Sequence, residues 1–564
     1  MLHASRAQFL GRTVCFGYRP TELIPAGYMA SPPPSSDSLK VRKRKTTYEP
    51  MRRDPGRFSL GCHVEGAALP HPDHYHPDSV ILGIHKRFGH KPPDVDMALF
   101  DELMEFVHDY MHNKLVPLPP DESFDFEEWL VSTHYPEWRR DELRAANLEL
   151  EEGYASSKEG WEKLTRVQSF IKDENYPTWK HLRPINSRTD HFKCLVGPLF
   201  RKIEKSVFRD SSFIKKIPRP EWPDYITREL SGDGEIYISD YTSYEALFEV
   251  LMEVELALYK YMLQYHPEYQ ERANLIDTTN KFWFRHVAGS VWRKRMSGEM
   301  NTSLGNGWTT HVVVKFIVHK LYGADVKVLQ EGDDTIFLSP GPVDDSWFTR
   351  LGLEVKLERV ERLSVGQFCQ LLFDPLEKIV VRNPIEYIVG FAWAPCQYLN
   401  SQKHDWKLLV SKAMSCVAQY PKHPILISFA SWILRVSPPQ VTPTVVLRFL
   451  ESRRAHFDAF SIQKLIEGAM FFEERKLDGG AFTPEPPGIN TRYLIEDLYN
   501  ISVSEQLKIE DWFDRQDTLC PIPLTLLEQW LATEWVDNWL FYVREVDVRS
   551  PSFDMIDVGP TSTI

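Results

Sequence analysis

The chain has 564 residues, 43% of them apolar and 13% aromatic, with a formal net charge of -13. That much apolar surface fills a core shared by several subdomains, and the acidic balance excludes a uniformly basic nucleic-acid binder. Seven cysteines, an odd number without a CxxC pair, argue against a disulfide framework or a sulfur-rich zinc site and suit reduced thiols in a cytosolic compartment.

Residues 1–57 carry SPPPSSDS and the charge run KVRKRK, the composition of a flexible, solvated tail, with a dedicated RNA-binding arm as the competing reading. Cys62, His63, His71, His74 and His76 follow closely, but HPDHYHPD lacks tetrahedral-site spacing and reads as an ordinary surface loop. MALFDELMEFVHDYM at 97–111 has helical periodicity. Pro-rich breaks at 175–186 and 216–225 bound a loop-rich basic region. Between Arg166 and Pro220 there are 13 Lys or Arg against 5 Asp or Glu, a local excess that a phosphate-bearing ligand explains and solubility does not.

Residues 235–262 turn from strand alternation to a long helical pattern, 305–323 read as a helix, and 325–339 as a hairpin. Beyond about residue 400 helical segments predominate, including one at 445–472. ILISFASWIL at 425–434 is about half the length of a membrane span and reads as a buried helix, so no transmembrane segment is expected. A soluble, intracellular protein with several subdomains is the expectation.

In EIYISD, alternation puts Ile236, Ile238 and Asp240 on one strand face, with Asp240 at the strand's end. Asp333 and Asp334 sit at the tip of the 325–339 hairpin. If the strands neighbour each other, three carboxylates converge and need cations between them, and hard oxygen ligands suit a pair of Mg²⁺ ions for phosphoryl transfer. Alone, Gly-Asp-Asp also describes a plain turn. In MSGEMNTSLGNGW, Gly298 lets the backbone flex while Thr302 and Asn306 stand one helical turn apart, placed to reach one ribose; a loop followed by a capped helix is the competing reading. In FIKDENYPTWKHLRPINSR, Lys172, Lys180, Arg183 and Arg188 surround prolines that stiffen the loop, as a triphosphate site requires; a solvated basic loop is the alternative.

DYTSYE, SGEMNTSLGN and EGDD, in that order after a KDE…RPI loop, resemble the RNA-dependent RNA polymerases of positive-strand RNA viruses, with the tombus-like and noda-like group nearest. The similarity runs from about residue 75 to 375. The resemblance implies an α+β right hand of fingers, palm and thumb, with an antiparallel palm sheet flanked by helices and a mostly helical thumb. The implied division is a 1–57 tail, fingers at 58–235, palm at 236–395 with a fingers insertion at 265–295, thumb at 396–545 and a tail at 546–564.

It also implies that Asp240 and Asp333 ligate both catalytic metals (Mg²⁺, with Mn²⁺ as the alternative), Asp334 being a secondary ligand. Ser297, Gly298, Thr302 and Asn306 match the segment that reads the ribose; Lys172 and Arg183 match the loop that holds the triphosphate. Lys356 resembles the lysine that protonates departing pyrophosphate, and QFCQLLF resembles the hairpin that grips the primer strand, Cys369 being otherwise a packed small residue.

Where many relatives have a second Asp, this chain has Glu245, which fits ribose sensing and also fits a capping box with Thr242. The implied function is template-directed transfer of nucleotides from NTPs to an RNA 3′-OH, with RNA template, nascent RNA and NTPs as partners. Membrane-associated replication proteins in the host cytoplasm complete the expectation. An inactive RNA-binding replication factor and a reverse transcriptase are the rivals.

Overall fold

In Glu235–Tyr241 one face of the strand carries Ile236 and Ile238 and the other Tyr237, Ser239 and Tyr241; Tyr237, Ile238, Ser239 and Tyr241 are buried, while Asp240 near the strand's end is exposed. The structure, a computed structural model, describes residues 12–16, 35–45, 57–71, 74, 76–133, 135, 137–172, 174–395, 402–453, 459–475 and 484–547. In chain order the strands are β1 (Arg12–Phe16), β2 (Lys40–Lys43), β3 (Arg57–Ser59), β4 (Arg166–Ile171), β5 (Pro184–Arg188), β6 (Glu235–Tyr241), β7 (Thr279–Trp283) and β8 (Val287–Trp292). They continue as β9 (Lys327–Glu331), β10 (Asp334–Ser339), β11 (Val355–Val360), β12 (Leu372–Asp374), β13 (Ile379–Val381), β14 (Trp393–Pro395) and β15 (Val543–Asp547).

These strands form sheets ordered β11-β6-β10-β9, β2-β8-β7-β4-β5, β14-β3-β1-β15 and β12-β13. Among the described strands every pairing is antiparallel except that of β4 with β7. With many helices around them, the fold is α+β.

The β11-β6-β10-β9 sheet separates two cores. Tyr237, Tyr241 and Phe337 face a helical layer formed by Met97–Lys114, Asp190–Val207, Phe248–Met262 and Thr302–Tyr322. Ile238, Ile336, Leu338 and Val360 face the other way, onto the C-terminal helices Gln402–Gln419, Leu426–Val436 and Val503–Asp514. A sheet covered on both faces accounts for the near-continuous apolar run TIFL in β10. The Thr302–Tyr322 helix is buried from Leu304 through Val318 and ends at Gly323, whose left-handed φ of 61° closes it.

The helix expected at 97–111 runs to Lys114 and is capped by Asp96, whose carboxylate accepts from the Leu99 N–H at 3.2 Å. The segment expected as one helix at 445–472 is two, Pro443–Arg453 and Ala459–Glu474, with 454–458 outside the described residues. Part of the expected 1–57 tail enters the fold. β1 pairs with β15 and β3, and β2 pairs with β8 because Val41 tucks into the core under that sheet while Lys40 and Arg42 stay exposed. The rest of that stretch is largely outside the described residues.

His63 and His71 do not lie on a surface loop as expected. They are 5% and 6% exposed; His63 bonds Ser59 Oγ at 2.7 Å and stacks on Trp539, and His71 Nε2 accepts from Arg57 Nε at 3.1 Å. Among the described residues no helix is long and apolar enough to cross a membrane.

Candidate active site

The hairpin β9–β10 pairs Glu331 with Asp334, so its turn is the two residues Gly332 and Asp333. Gly332 adopts φ 63°, the left-handed conformation a two-residue hairpin turn needs. β6 lies against β10 with Ser239 opposite Thr335, which brings the next residues along, Asp240 and Asp334, alongside each other at the strand ends. Asp240 belongs to the Ile236–Ile238 face and Asp334 to the Ile336–Leu338 face, the same side of the sheet. On β11, Lys356 is the register partner of Asp240. One row therefore crosses four strands, Lys356, Asp240, Asp334 and Glu331, with neighbours separated by roughly the 4.8 Å strand spacing.

This row is electrostatically unbalanced. Burial pushes the Asp334 carboxyl up to about 7, and repulsion from Asp333 and Asp240 adds to it. Burial also raises Asp333, with Glu245 adding repulsion, and raises Glu331. Arg183 is the cation that draws Asp333 and Asp334 the other way. Cys369 stands beside Asp334 from the tip of a tight turn in which Phe368 and Leu371 exchange two backbone hydrogen bonds of 2.9 Å. Its thiol is held well above the usual range by burial and by Asp334.

Behind the turn, Asn306 donates to Asp333 Oδ1 at 3.3 Å and accepts from Arg295 Nε at 3.0 Å. Arg295 pairs with Glu255 and Glu299, and Glu299 also accepts from Arg188. Asn301 donates to Glu255 at 2.7 Å. All these side chains are buried, and two arginines balance two glutamates. A buried pair of this kind stands only when its charges and donors are matched.

The remaining predicted residues separate into groups. The Ser297 hydroxyl donates to Glu245 Oε1 at 3.4 Å, and Ser243, at the start of the short turn of helix carrying Glu245, makes no side-chain cap. The capping-box reading of Glu245 is not what the fold uses. Gly298 has no left-handed φ; a β-carbon there would press on the Asn186 carbonyl, so close approach, not flexing, calls for glycine. The Thr302 hydroxyl turns back onto the Glu299 carbonyl at 3.0 Å while Asn306 is held on Asp333, so the two point to different partners.

Lys172 and Arg183 close the β4–β5 hairpin through a backbone bond of 2.9 Å and flank Glu174 at 2.9 and 3.5 Å. The charge of Arg183 is felt by Glu245 and Asp333. Lys180 is exposed, and among the described residues no hydrogen bond or ion pair ties it to this group. Arg188, expected on the triphosphate loop, is instead 2% exposed and its donors go to Glu299, Asn280 and the Thr165 carbonyl, so it braces the interior and does not face a ligand. Sequence reasoning missed Glu331, although strand alternation places it on the face of Leu329. It also missed Arg295 and Glu255, which lie outside the quoted motifs, and Glu299, which lies inside SGEMNTSLGN but was given no role.

Among the described residues no three His, Cys, Asp or Glu side chains are gathered as a formed metal cluster. The donor set nonetheless fits a divalent cation. Hard carboxylate oxygens of Asp240, Asp334 and Glu331 stand in one row beside the Asp333 turn, the kind of donor that suits a hard divalent cation.

Residues 285–450 match the family described as viral RNA dependent RNA polymerase. The chain is 34% identical over 119 residues, 19% of its length and 11% of the relative's, to the RNA-directed RNA polymerase of Panicum mosaic virus (strain United States/Kansas 109S). It is 26% identical over 232 residues, 37% of its length and 29% of the relative's, to the RNA-directed RNA polymerase of Oat chlorotic stunt virus (isolate United Kingdom). The matched stretches thus span 11% and 29% of the two relatives. The family match includes Asn306 and the hairpin aspartates but begins after Arg183, Asp240 and Glu245, which the fold brings to them.

Proposed function

We propose that this chain, whose residues 285–450 carry a viral RNA dependent RNA polymerase domain, is an RNA-directed RNA polymerase that copies a viral RNA template. The observation that carries the reading is the placement of Asp240, from outside the matched region, alongside the Asp333–Asp334 turn within it.

In this reading Asp240, Asp333 and Asp334 would hold two Mg²⁺ ions, which would supply a lowered pKa for the attacking 3′-hydroxyl and charge stabilisation for the leaving pyrophosphate. The protein's own part is placement. Asn306 fixes the Asp333 carboxylate, and the Arg295–Glu255–Glu299 network fixes Asn306. Arg183 and Lys172, held on a closed hairpin, receive the triphosphate. Glu245 and Ser297 present an acceptor and a hydroxyl for the ribose 2′-OH. Lys356, exposed at the end of the carboxylate row, supplies the proton for the departing pyrophosphate.

The β11-β6-β10-β9 sheet is then the palm, the β2-β8-β7-β4-β5 sheet belongs to the fingers and the C-terminal helices form the thumb. The family resemblance adds the host cytoplasm as the place of action and membrane-associated replication proteins as partners.

The test is incorporation of labelled NTP on an RNA template with Mg²⁺ or Mn²⁺. Asp333→Asn should lower incorporation at least a thousandfold while template affinity stays within about twofold. Equal incorporation by variant and parent would remove the enzymatic reading.

A further inference from the structure

We propose that the solvent face of the β2-β8-β7-β4-β5 sheet is a platform for single-stranded RNA, separate from the carboxylate site. Strand alternation assigns the faces. Val41, Val287, Val291, Phe282, Val167 and Ile171 point into one small core under the Pro77–Arg87 helix. The other face carries Lys40, Arg42, Lys281 and Arg166 together with Trp283, Trp292 and Phe170, and none of its strand residues is Asp or Glu. In a chain of net charge -13, four cations on these strands are a local concentration of positive charge, with Glu162 near Lys281 and Glu159 near Arg166 as the carboxylates at its border.

The register makes the arrangement specific. Lys40 pairs with Ser290, Ser290 with Lys281, and Lys281 with Arg166, a straight row across four strands. The next row runs Arg42, Ala288, Trp283 and Gln168. Lys281 and Arg166 are like charges directly side by side, a destabilising pairing within a sheet. Glu162, 4.0 Å from Lys281, is the carboxylate that offsets it, and among the described residues Lys40 and Arg42 have no ion-pair partner. A polyanion would relieve that repulsion.

The aromatic residues decide which polyanion. Trp292 and Phe170 are 42% and 49% exposed, and Arg166 lies 5.3 Å over the Trp283 ring. Rings open to solvent between cations stack unpaired bases, which a duplex keeps to itself. β4 links this face to the site already described, since its last residue is followed by Lys172 on the hairpin that carries Arg183; six residues of strand span roughly 20 Å. A single strand long enough to leave the carboxylate site can therefore reach the platform.

The test compares a short and a long fluorescent single-stranded RNA, roughly 10 and 40 nucleotides, binding to the full chain. The variant carries Lys40→Gln, Arg42→Gln and Lys281→Gln, all exposed positions. It should bind the long RNA about tenfold more weakly, with the salt slope reduced by about 2, leaving the short RNA and NTP incorporation at saturating template unchanged. Long RNA carrying 4-thiouridine should cross-link to the peptides containing Phe170 and Trp292 in the parent. Equal weakening of both RNAs, or of neither, overturns the proposal, as does loss of binding to phosphatidylserine vesicles with long-RNA affinity intact. Asp333→Asn should keep the length advantage, so failure of the platform and failure of the polymerase reading show in different measurements.

Discussion

Glu245 sits where two jobs compete, and its surroundings choose between them. Its carboxylate accepts from Ser297, adds repulsion to Asp333 and takes no part in capping the helical turn that carries it. Glu245→Ala should therefore lower discrimination between NTP and dNTP by roughly tenfold, the worth of one charge-assisted hydrogen bond. Stability should change by no more than about 0.5 kcal/mol, since neither a cap nor a core contact is lost. Unchanged sugar selectivity in competing single-nucleotide incorporations, or a large drop in melting temperature, would count against this role.

At the scale of elements, the Phe248–Met262 and Thr302–Tyr322 helices are joined by buried charge, and Asn306 carries that network to the hairpin. Gly305 is a point of contact, because a β-carbon there would overlap the Glu255 carboxylate and the Arg295 guanidinium. Glu255→Ala should cost about 3–5 kcal/mol in urea unfolding, because Arg295 is left buried with Glu299 alone. Gly305→Ala should move stability the same way, and a loss below about 1 kcal/mol in both would mean the network is not what holds the two elements together.

The elements themselves were legible: period-2 alternation located β6, β9 and β10 and put Asp240 and Asp334 at their ends. Alternation says nothing about which strand lies beside which, so the Lys356–Asp240–Asp334–Glu331 row appears only with the register. Arg188 was misread for a related reason. A basic residue in a Pro-rich stretch resembles a surface cation until Glu299 and Asn280, about a hundred residues away, are seen to close over it.

Across the whole molecule, three histidines are sealed in separate packed regions. His63 stacks on Trp539 near the sheet that joins the two ends of the chain, His311 bonds the Tyr110 hydroxyl inside the Thr302–Tyr322 helix layer, and His423 bonds the Arg382 and Pro424 backbone among the C-terminal helices. Burial lowers His63 and His423 to about 4 and His311 to about 3, from 6.5. Lys315 pushes His311 further down while Asp210 and Asp325 pull the other way, and Arg382 pushes on His423. A base whose folded pKa is depressed binds fewer protons folded than unfolded. Its contribution is therefore complete above pH 6.5 and is lost as pH falls from there through about 4. Each such histidine removes about 2 kcal/mol between pH 7 and pH 5, so acid should loosen all three regions together. Urea unfolding of His423→Gln at the two pH values checks this. The glutamine keeps a polar partner for the Arg382 backbone but does not titrate, so the gap between the two stabilities should shrink by about 2 kcal/mol. An unchanged gap would show that the acid sensitivity of this protein resides elsewhere.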